Sequence, residues 1–135
     1  MTYTVTTTVD APFEDVLDAV TTALDAEGFG ILSDVDVQST FREKLDVEMD
    51  RYRILGACNP PLANEGIAAE SDLGALLPCN VAIYEASAGD VVVSAVDPEA
   101  LLDLPDNPAL DRIGSTVKER LDRVIDEVET RFDPA

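Results

Sequence analysis

Both cysteines of this chain stand directly before an asparagine, as Cys58-Asn59 and Cys79-Asn80. The first step lies in GACNPPLA, residues 56–63, and the second in LPCNV, residues 77–81. Thiols act as redox partners, soft-metal ligands or nucleophiles once they ionise, and asparagine side chains cap helices and turns or orient ligands. These two steps are the part of the sequence with the clearest potential for chemistry.

The residues that follow Cys58 are suited to the start of a helix. Asparagine is a common N-cap and proline fits the first turn, so Asn59-Pro60-Pro61 predicts a short helix over about residues 61–69. The dipole and free N–H groups of such a helix would favour a thiolate at Cys58 and would also hold a small anion. Cys79 precedes another strand, so we expect both cysteines at one end of a sheet, within the ~4.4–6.8 Å between Cα atoms that a disulfide spans.

Three interpretations of the Cys-Asn steps remain open from the sequence. Free cysteine packs as a small apolar side chain and asparagine caps helices and turns, so structure alone accounts for both steps. A second interpretation is a redox pair or soft-metal site, and a third is a small-ligand pocket that uses the asparagines. The candidate ligand or thiol residues are Cys58, Asn59, Pro60, Cys79 and Asn80.

The composition excludes several kinds of catalytic site. The chain contains no histidine, which rules out a Ser-His-Asp or Cys-His nucleophilic system and a zinc site built from histidines. Two cysteines fill only half of a tetrahedral structural zinc site, which a dimer alone would complete. No glycine-rich phosphate loop is present either. The sequence therefore favours a non-enzymatic protein with no catalytic residues, metal or cofactor.

The charge of the chain is strongly negative. There are 28 acids against 9 bases, a net charge of −19, and the acids are spread from Asp10 to Asp133. Such a folded surface repels itself, and molar salt relieves the repulsion by shortening the Debye length to about 3 Å. We interpret the surface as adapted to a salt-rich cytoplasm rather than as a patch for one basic partner. It also repels phosphate backbones, so no nucleic-acid partner is expected.

The length and the apolar pattern indicate one cytoplasmic domain. A chain of 135 residues fits a single core, which we place over residues 1–135. The start, MTYTVTTTVDAP, lacks the basic and apolar regions of a secretory signal, and no run approaches the ~18 apolar residues of a membrane span. We therefore expect a cytoplasmic protein with reduced thiols and no membrane partner.

Hydrophobic periodicity predicts an α+β fold. Alternating residues predict strands near residues 2–9, 29–37, 51–58, 81–86 and 91–96, the last two as a hairpin. Two long amphipathic helices are predicted, one from Pro12 to the stop at Gly28 and one from Asn107 or Pro108 onward. Thr40 and Glu43 form a candidate capping box for a short helix to residue 45, and Asp97-Pro98 predicts a turn.

These elements predict a two-layer arrangement, a mainly antiparallel sheet of about five strands with the two long helices on one face. The other face of the sheet would carry Ala82, Tyr84, Val92 and Val96. These side chains are more apolar than a solvated face requires, which favours a homodimer.

A family resemblance lies in the same residues. The segments ILGACNPPLA and LLPCNVAIYE, followed by a Gly-Asp turn and VVVSAVDP, resemble the family catalogued as domain of unknown function 302. In that family a strand ends in a Cys-Asn-Pro or Asn-Pro step and a Pro-Cys-Asn step opens the next strand. The resemblance places a family-like core at about residues 34–98 and a C-terminal helix at about 108–130. It implies a TATA-binding-protein-like α+β fold, pairing as dimers and no established activity, and such a fold carries no DNA-binding function with it.

The acidic surface predicts a dependence of stability on salt. We expect the free energy of unfolding to fall as potassium chloride is lowered from molar to millimolar concentration, because screening of the like charges is lost. Circular dichroism during thermal or urea unfolding at each salt concentration measures this. Stability that does not change with salt would contradict the interpretation of the surface.

Overall fold

The computed structural model describes residues 2–86 and 88–135. Six strands form one antiparallel sheet in the order β2-β3-β4-β5-β1-β6. The strands are β1 Thr4–Asp10, β2 Gly30–Asp36, β3 Tyr52–Cys58, β4 Cys79–Glu85, β5 Val91–Val96 and β6 Asp133–Pro134. The α-helices are α1 Phe13–Ala26, α2 Val37–Leu45, α3 Pro60–Ala69, α4 Pro98–Asp103 and α5 Asp111–Arg131. Two 3₁₀ turns span Ser71–Leu76 and Pro108–Leu110.

The expected α+β class and the antiparallel sheet are confirmed, with a small difference in strand number. The sixth strand, β6, is a two-residue strand that pairs with the end of β1. It is too short to leave an alternating pattern in the sequence, which is why five strands were expected.

One layer of helices covers one face of the sheet. Helices α1 and α5 pack against each other and against the sheet, and together they enclose the core. The buried stripe of α5 repeats at helical spacing and consists of Ile113, Gly114, Val117, Leu121, Val124, Ile125 and Val128. The sheet contributes alternate residues of its central strands, such as Leu55, Val81, Ile83 and Val93.

Two helix starts differ from the sequence expectation because an aspartate caps each of them. The Asp36 side chain accepts a hydrogen bond of 2.9 Å from Ser39 N, so α2 begins at Val37 and Thr40 lies inside the helix. The Asp97 side chain accepts from two backbone N–H groups, and Pro98 occupies the first turn of α4. The expected turn at Asp97-Pro98 is therefore the start of a helix.

The face of the sheet opposite α1 and α5 carries one charged residue on β3, β4, β5 and β1, which is Asp10 at the end of β1. Strand pairing places alternate residues of β3, β4, β5 and β1 on this face. We call it the outer face, and it consists of Tyr52, Ile54, Gly56, Asn80, Ala82, Tyr84, Val92, Ser94, Val96, Thr4, Thr6, Thr8 and Asp10. Tyr52 and Tyr84 stack with ring centroids 5.1 Å apart and an interplanar angle of 8°.

Within the residues that the structure describes, the helices are all too short or too polar to cross a bilayer.

Candidate functional site

The two cysteines lie at the same end of the sheet. Cys58 is the last residue of β3 and Cys79 is the first residue of β4. The antiparallel register pairs Cys79 with Ala57, the neighbour of Cys58. Inter-strand spacing and rise together put the Cα atoms of the two cysteines on the order of 6 Å apart. Both thiols are free.

A close contact across the strands fixes this end of the sheet. A Cβ placed on Gly56 would lie 2.7 Å from Cγ of Pro78 and would also collide with the Ser33 hydroxyl. Glycine is therefore required for Pro78 to approach β3 so closely. Because Pro78 directly precedes Cys79, the contact holds the start of β4 against the end of β3.

Asn59 caps α3, and the prolines remove the donors that an anion would need. Its Oδ1 accepts a hydrogen bond of 3.3 Å from Leu62 N, and its backbone carbonyl accepts one of 2.9 Å from Ala63 N. Pro60 and Pro61 have no N–H group. The expectation of free N–H groups at this helix start is therefore wrong, because the first four positions hold either proline or a satisfied donor.

Both cysteines line one small apolar cavity between the sheet, α3 and α5. The cavity has a volume of about 30 Å³. We call it the cysteine cavity, and its lining residues are Phe29, Ala57, Cys58, Asn59, Leu62, Ala63, Leu73, Leu77, Cys79, Leu102, Ile113 and Val117. A volume of this size admits about two water-sized groups.

The other two candidate residues are not part of this cavity. Asn80 is exposed and lies on the outer face opposite Gly56. Pro60 is exposed in the first turn of α3. The structure thus brings together Cys58, Asn59 and Cys79 and separates them from Asn80 and Pro60.

The surroundings of both thiols favour the neutral form. Burial raises the pKa of the Cys58 thiol above its ordinary value. Burial raises the pKa of Cys79 to about 11, and the proximity of Cys58 adds to the shift. Both groups are therefore protonated at neutral pH, and the expected thiolate at Cys58 is not supported. Desolvation disfavours the charged thiolate of Cys58. The start of α3, which was expected to stabilise that thiolate, has no free N–H donor to do so.

Two side-chain nitrogens lie close to Gly28, one of them on Asn59, which also lines the cysteine cavity. Gly28 has a φ of +85° and no side chain. Measured from the position that a Cβ on Gly28 would occupy, Arg120 Nη1 is 3.1 Å away and Asn59 Nδ2 is 3.2 Å away. We call Gly28, Asn59 and Arg120 the rim. The sequence pattern indicates Gly28 only as a helix stop and gives no sign of a role for Arg120, since nothing in the sequence places α5 beside the start of α3.

Within residues 2–86 and 88–135, no group of three or more carboxylate, thiol or imidazole side chains is arranged to hold a metal ion.

The Asp34 carboxyl also has a shifted pKa, and an ion pair at the opposite end of β3 explains it. Its pKa is lowered because Arg53 Nε donates to it over 2.8 Å. This ion pair joins β2 to β3 and is remote from the cysteine cavity.

The raised pKa of Cys79 predicts a loss of stability in alkaline solution. The folded state keeps the thiol proton to a higher pH than the unfolded chain does. This contribution is complete below the ordinary thiol pKa of 9.0 and is lost as the pH rises through about 11. Two units of pKa correspond to about 2–3 kcal/mol.

The measurement is urea unfolding between pH 8 and 11, with Cys79→Val as the non-titrating control. Other groups titrate in this range, so the difference between the two proteins is the quantity of interest. We expect the stability of the wild type to fall more steeply than that of C79V. Parallel pH profiles would contradict the buried neutral thiol.

Comparison with known proteins identifies the family. The family model "Domain of unknown function DUF302" matches residues 5–128, which extends beyond the core expected at residues 34–98. The chain is also similar to an uncharacterized conserved DUF302 protein from Bacillus stearothermophilus, solved as a crystal structure. The two share 25% sequence identity with a TM-score of 0.88, over 96% of this chain and 100% of the other. No curated protein matches the chain. With a family match over most of its length and the corresponding fold, this chain belongs to the DUF302 family.

Proposed function

We propose that this protein is a non-enzymatic domain that binds a small ligand in the cysteine cavity. The observation that carries the proposal is the meeting of Cys58, Asn59 and Cys79 at one apolar cavity next to the polar rim. Apolar walls with a few polar groups at one side are typical of ligand sites, which use the walls for affinity and the polar groups for orientation.

The chemistry of the cavity supports binding rather than catalysis. Both thiols are held neutral by burial, which raises the pKa of each, and a neutral thiol is a weak nucleophile. The chain has no histidine to act as a general base for them. Cys58 and Cys79 therefore serve as apolar lining, and the site binds a ligand without reacting with it.

The small volume sets the size of the ligand. A cavity of about 30 Å³ encloses only a few atoms, so the rest of a bound molecule would lie at the rim. Helix α3 forms one wall through Leu62 and Ala63, and its opposite side is exposed, including Ile67 at 45%. An element packed on one side only is the part of the wall that yields most easily to a ligand.

A second candidate is a thiol redox pair, favoured by the position of both cysteines at one cavity. In this reaction Cys58 and Cys79 each lose a hydrogen atom to form one disulfide, and a disulfide oxidant such as oxidised glutathione is reduced to two thiols. The raised pKa values oppose it, because only a thiolate attacks. Mass spectrometry after incubation with oxidised glutathione distinguishes the two. An intramolecular disulfide formed by the folded protein supports the redox pair, and two unmodified thiols exclude it.

The ligand proposal predicts that filling the cavity abolishes binding. Methyl groups of Ala57, Ala63 and Val117 report on the cavity in carbon–proton NMR spectra during titration with small probes of two to four carbons. We expect saturable shifts of these signals in the wild type and none in Ala63→Leu, whose larger side chain occupies the space.

The matched control is Ala68→Leu, an exposed position on the same helix, which should bind as the wild type does. Unchanged signals at the outer face verify that both variants are folded. If the wild type shows no saturable shift with any probe, or if A63L binds equally well, the cavity is not a ligand site.

We further propose that a second copy of this chain covers the outer face. The face contains the Tyr52–Tyr84 stack and carries a charge only at its edge, at Asp10, so burial of its centre removes apolar surface from water without desolvating a charge. A basic partner would bind the acidic remainder of the surface. An acidic partner would be repelled by that acidic surface and not by the outer face. A second copy has the same charge of −19, and the outer face is where two such molecules approach with the least repulsion.

The dimer predicts a specific effect of one added charge. Tyr84→Glu places a carboxylate in the interface of both copies, and we expect sedimentation to show a shift from dimer to monomer. Leu104→Glu adds the same charge at a position that is 69% exposed away from the outer face and should leave the dimer intact. A monomeric wild type at molar salt, or a dimer that tolerates Y84E, would overturn this assembly.

A further inference from the structure

Exposed apolar side chains are concentrated at one edge of the sheet. Among the residues that the structure describes, nine large apolar side chains are exposed, and six of them lie between residues 31 and 47. This segment contains most of β2, which is an edge strand of the sheet, and all of α2. Apolar patches of this kind on a folded surface mark interaction sites. The six exposed side chains are Ile31, Leu32, Val35, Phe41, Leu45 and Val47.

Helix α2 presents an apolar stripe that the rest of the chain leaves largely uncovered. Val37, Phe41 and Leu45 follow one another at intervals of four residues, so they lie on one side of the helix. Only Val37, at the start of the helix, is buried. Leu45, at its end, is 64% exposed. The C-terminal half of the stripe therefore has no partner within the described part of the chain.

Two cations flank this stripe. At about 100° per residue, Lys44 lies on one side of it and Arg42 on the other, whereas the acid of this helix, Glu43, lies on the opposite surface. Neither Arg42 nor Lys44 forms an ion pair among the described residues, although the chain has 28 acids. The exposed side of α2 is therefore apolar and basic.

A groove of matching character lies between α4 and the start of α5. It has a volume of about 600 Å³, which is enough for several large side chains. Three leucines and three carboxylates line it, and among the described residues none of these carboxylates forms an ion pair. We call it the α4–α5 groove, and these lining residues are Leu102, Leu104, Leu110, Glu99, Asp103 and Asp111.

Helix α2 and the α4–α5 groove lie at opposite ends of the sheet. Gln38 Nε2 donates to the Met49 carbonyl over 3.0 Å, which holds α2 near the start of β3. Helix α4 follows the end of β5, and β5 runs in the same direction as β3 because both are antiparallel to β4. The seven residues of β3, at ~3.3 Å each, separate the two ends by about 20 Å. The helix therefore cannot reach the groove of its own chain.

We propose that α2 of one copy of this chain docks in the α4–α5 groove of a second copy. Phe41 and Leu45 would contact the leucines of the groove, and Arg42 and Lys44 would pair with its carboxylates. A second copy is the occupant that the charges favour, because each chain carries both the basic helix and the acidic groove that complements it. Two different surfaces meet in this contact, so it is heterologous and separate from the outer face.

The contact is small and its affinity is correspondingly low. A helix of nine residues that contributes two apolar side chains and two cations buries less than a standard interface does. The contact forms at the millimolar concentrations of NMR rather than at the micromolar concentrations of sedimentation. Molar salt favours it, because salt screens the long-range repulsion between two chains of net −19 more than it screens charges in direct contact.

The test is NMR of the full chain carrying Tyr84→Glu, which removes the proposed outer-face contact. We call this chain the parent. In molar potassium chloride we expect the backbone amide signals of α2 and of the α4–α5 groove to shift together as the parent is concentrated. Arg42→Glu combined with Lys44→Glu should weaken this association at least about tenfold, because like charges then oppose each other across the contact.

Reversal of the groove charges provides a second variant that can restore the first. Asp103→Lys combined with Asp111→Lys should also prevent self-association of the chain that carries it. A mixture of this variant with R42E/K44E should associate about as tightly as the parent, because each helix then meets a groove of opposite charge.

The matched control is Arg123→Glu combined with Arg131→Glu in the parent. It changes the net charge as much as R42E/K44E does, at exposed positions toward the end of α5 that is remote from the groove. This control should associate as the parent does. Unchanged amide signals in the core strands verify that each variant is folded.

Several results would overturn the contact. These are signals of the parent that do not depend on concentration, shifts at α2 without shifts at the groove, and R42E/K44E that associates as the parent does. A mixture that associates no better than its two components would also refute it. Every chain in the test carries Y84E and an unaltered cysteine cavity, so these results do not bear on the proposed ligand site or on the outer-face dimer.

Discussion

The antiparallel pairing of β3 with β4 determines where the candidate site lies. Side chains alternate across a strand, so a slip of one residue would move Leu55 and Val81 from the core to the outer face. The apolar core under α1 and α5 therefore permits one register. That register places Cys79 beside Ala57, and the contact of Pro78 with Gly56 holds it there. The two Cys-Asn steps meet because the core requires this pairing.

The site combines buried sulfur with a polar rim, and the two parts have different physical roles. Desolvation keeps both thiols neutral by raising their pKa, so they behave as small apolar groups in the wall. The rim contains one cation, Arg120, in a protein of net charge −19. Arg120 is half-buried and forms no ion pair among the described residues, whereas six other cations pair with carboxylates. Those pairs mostly lie in solvent, where their contribution to stability is small.

Charge also separates the two faces of the sheet. The outer face bears threonines, serine, aliphatic residues and the stacked tyrosines, and its charged residue, Asp10, lies at the end of β1. Desolvating a charge is costly, so a face with its charge only at the edge associates at a low cost. The Thr6 and Ser94 hydroxyls lie 3.0 Å apart and form a hydrogen bond across the strands. They therefore keep a hydrogen-bond partner when this face is buried.

The sequence by itself determined the α+β class, the five longer strands and both long helices, because periods of 2 and 3.6 residues record which side of each element is buried. It also determined the charge, the absence of histidine and the cap of α3 by Asn59. It did not determine β6, which is too short for a pattern, or the aspartate caps of α2 and α4, where competing start signals lay close together. Tertiary structure alone decided that Asn80 faces outward, that burial outweighs any helix effect at Cys58, and that Arg120 and Asn59 both approach Gly28. Side-chain environment and contacts between distant segments depend on how elements pack, and local patterns carry no record of that packing.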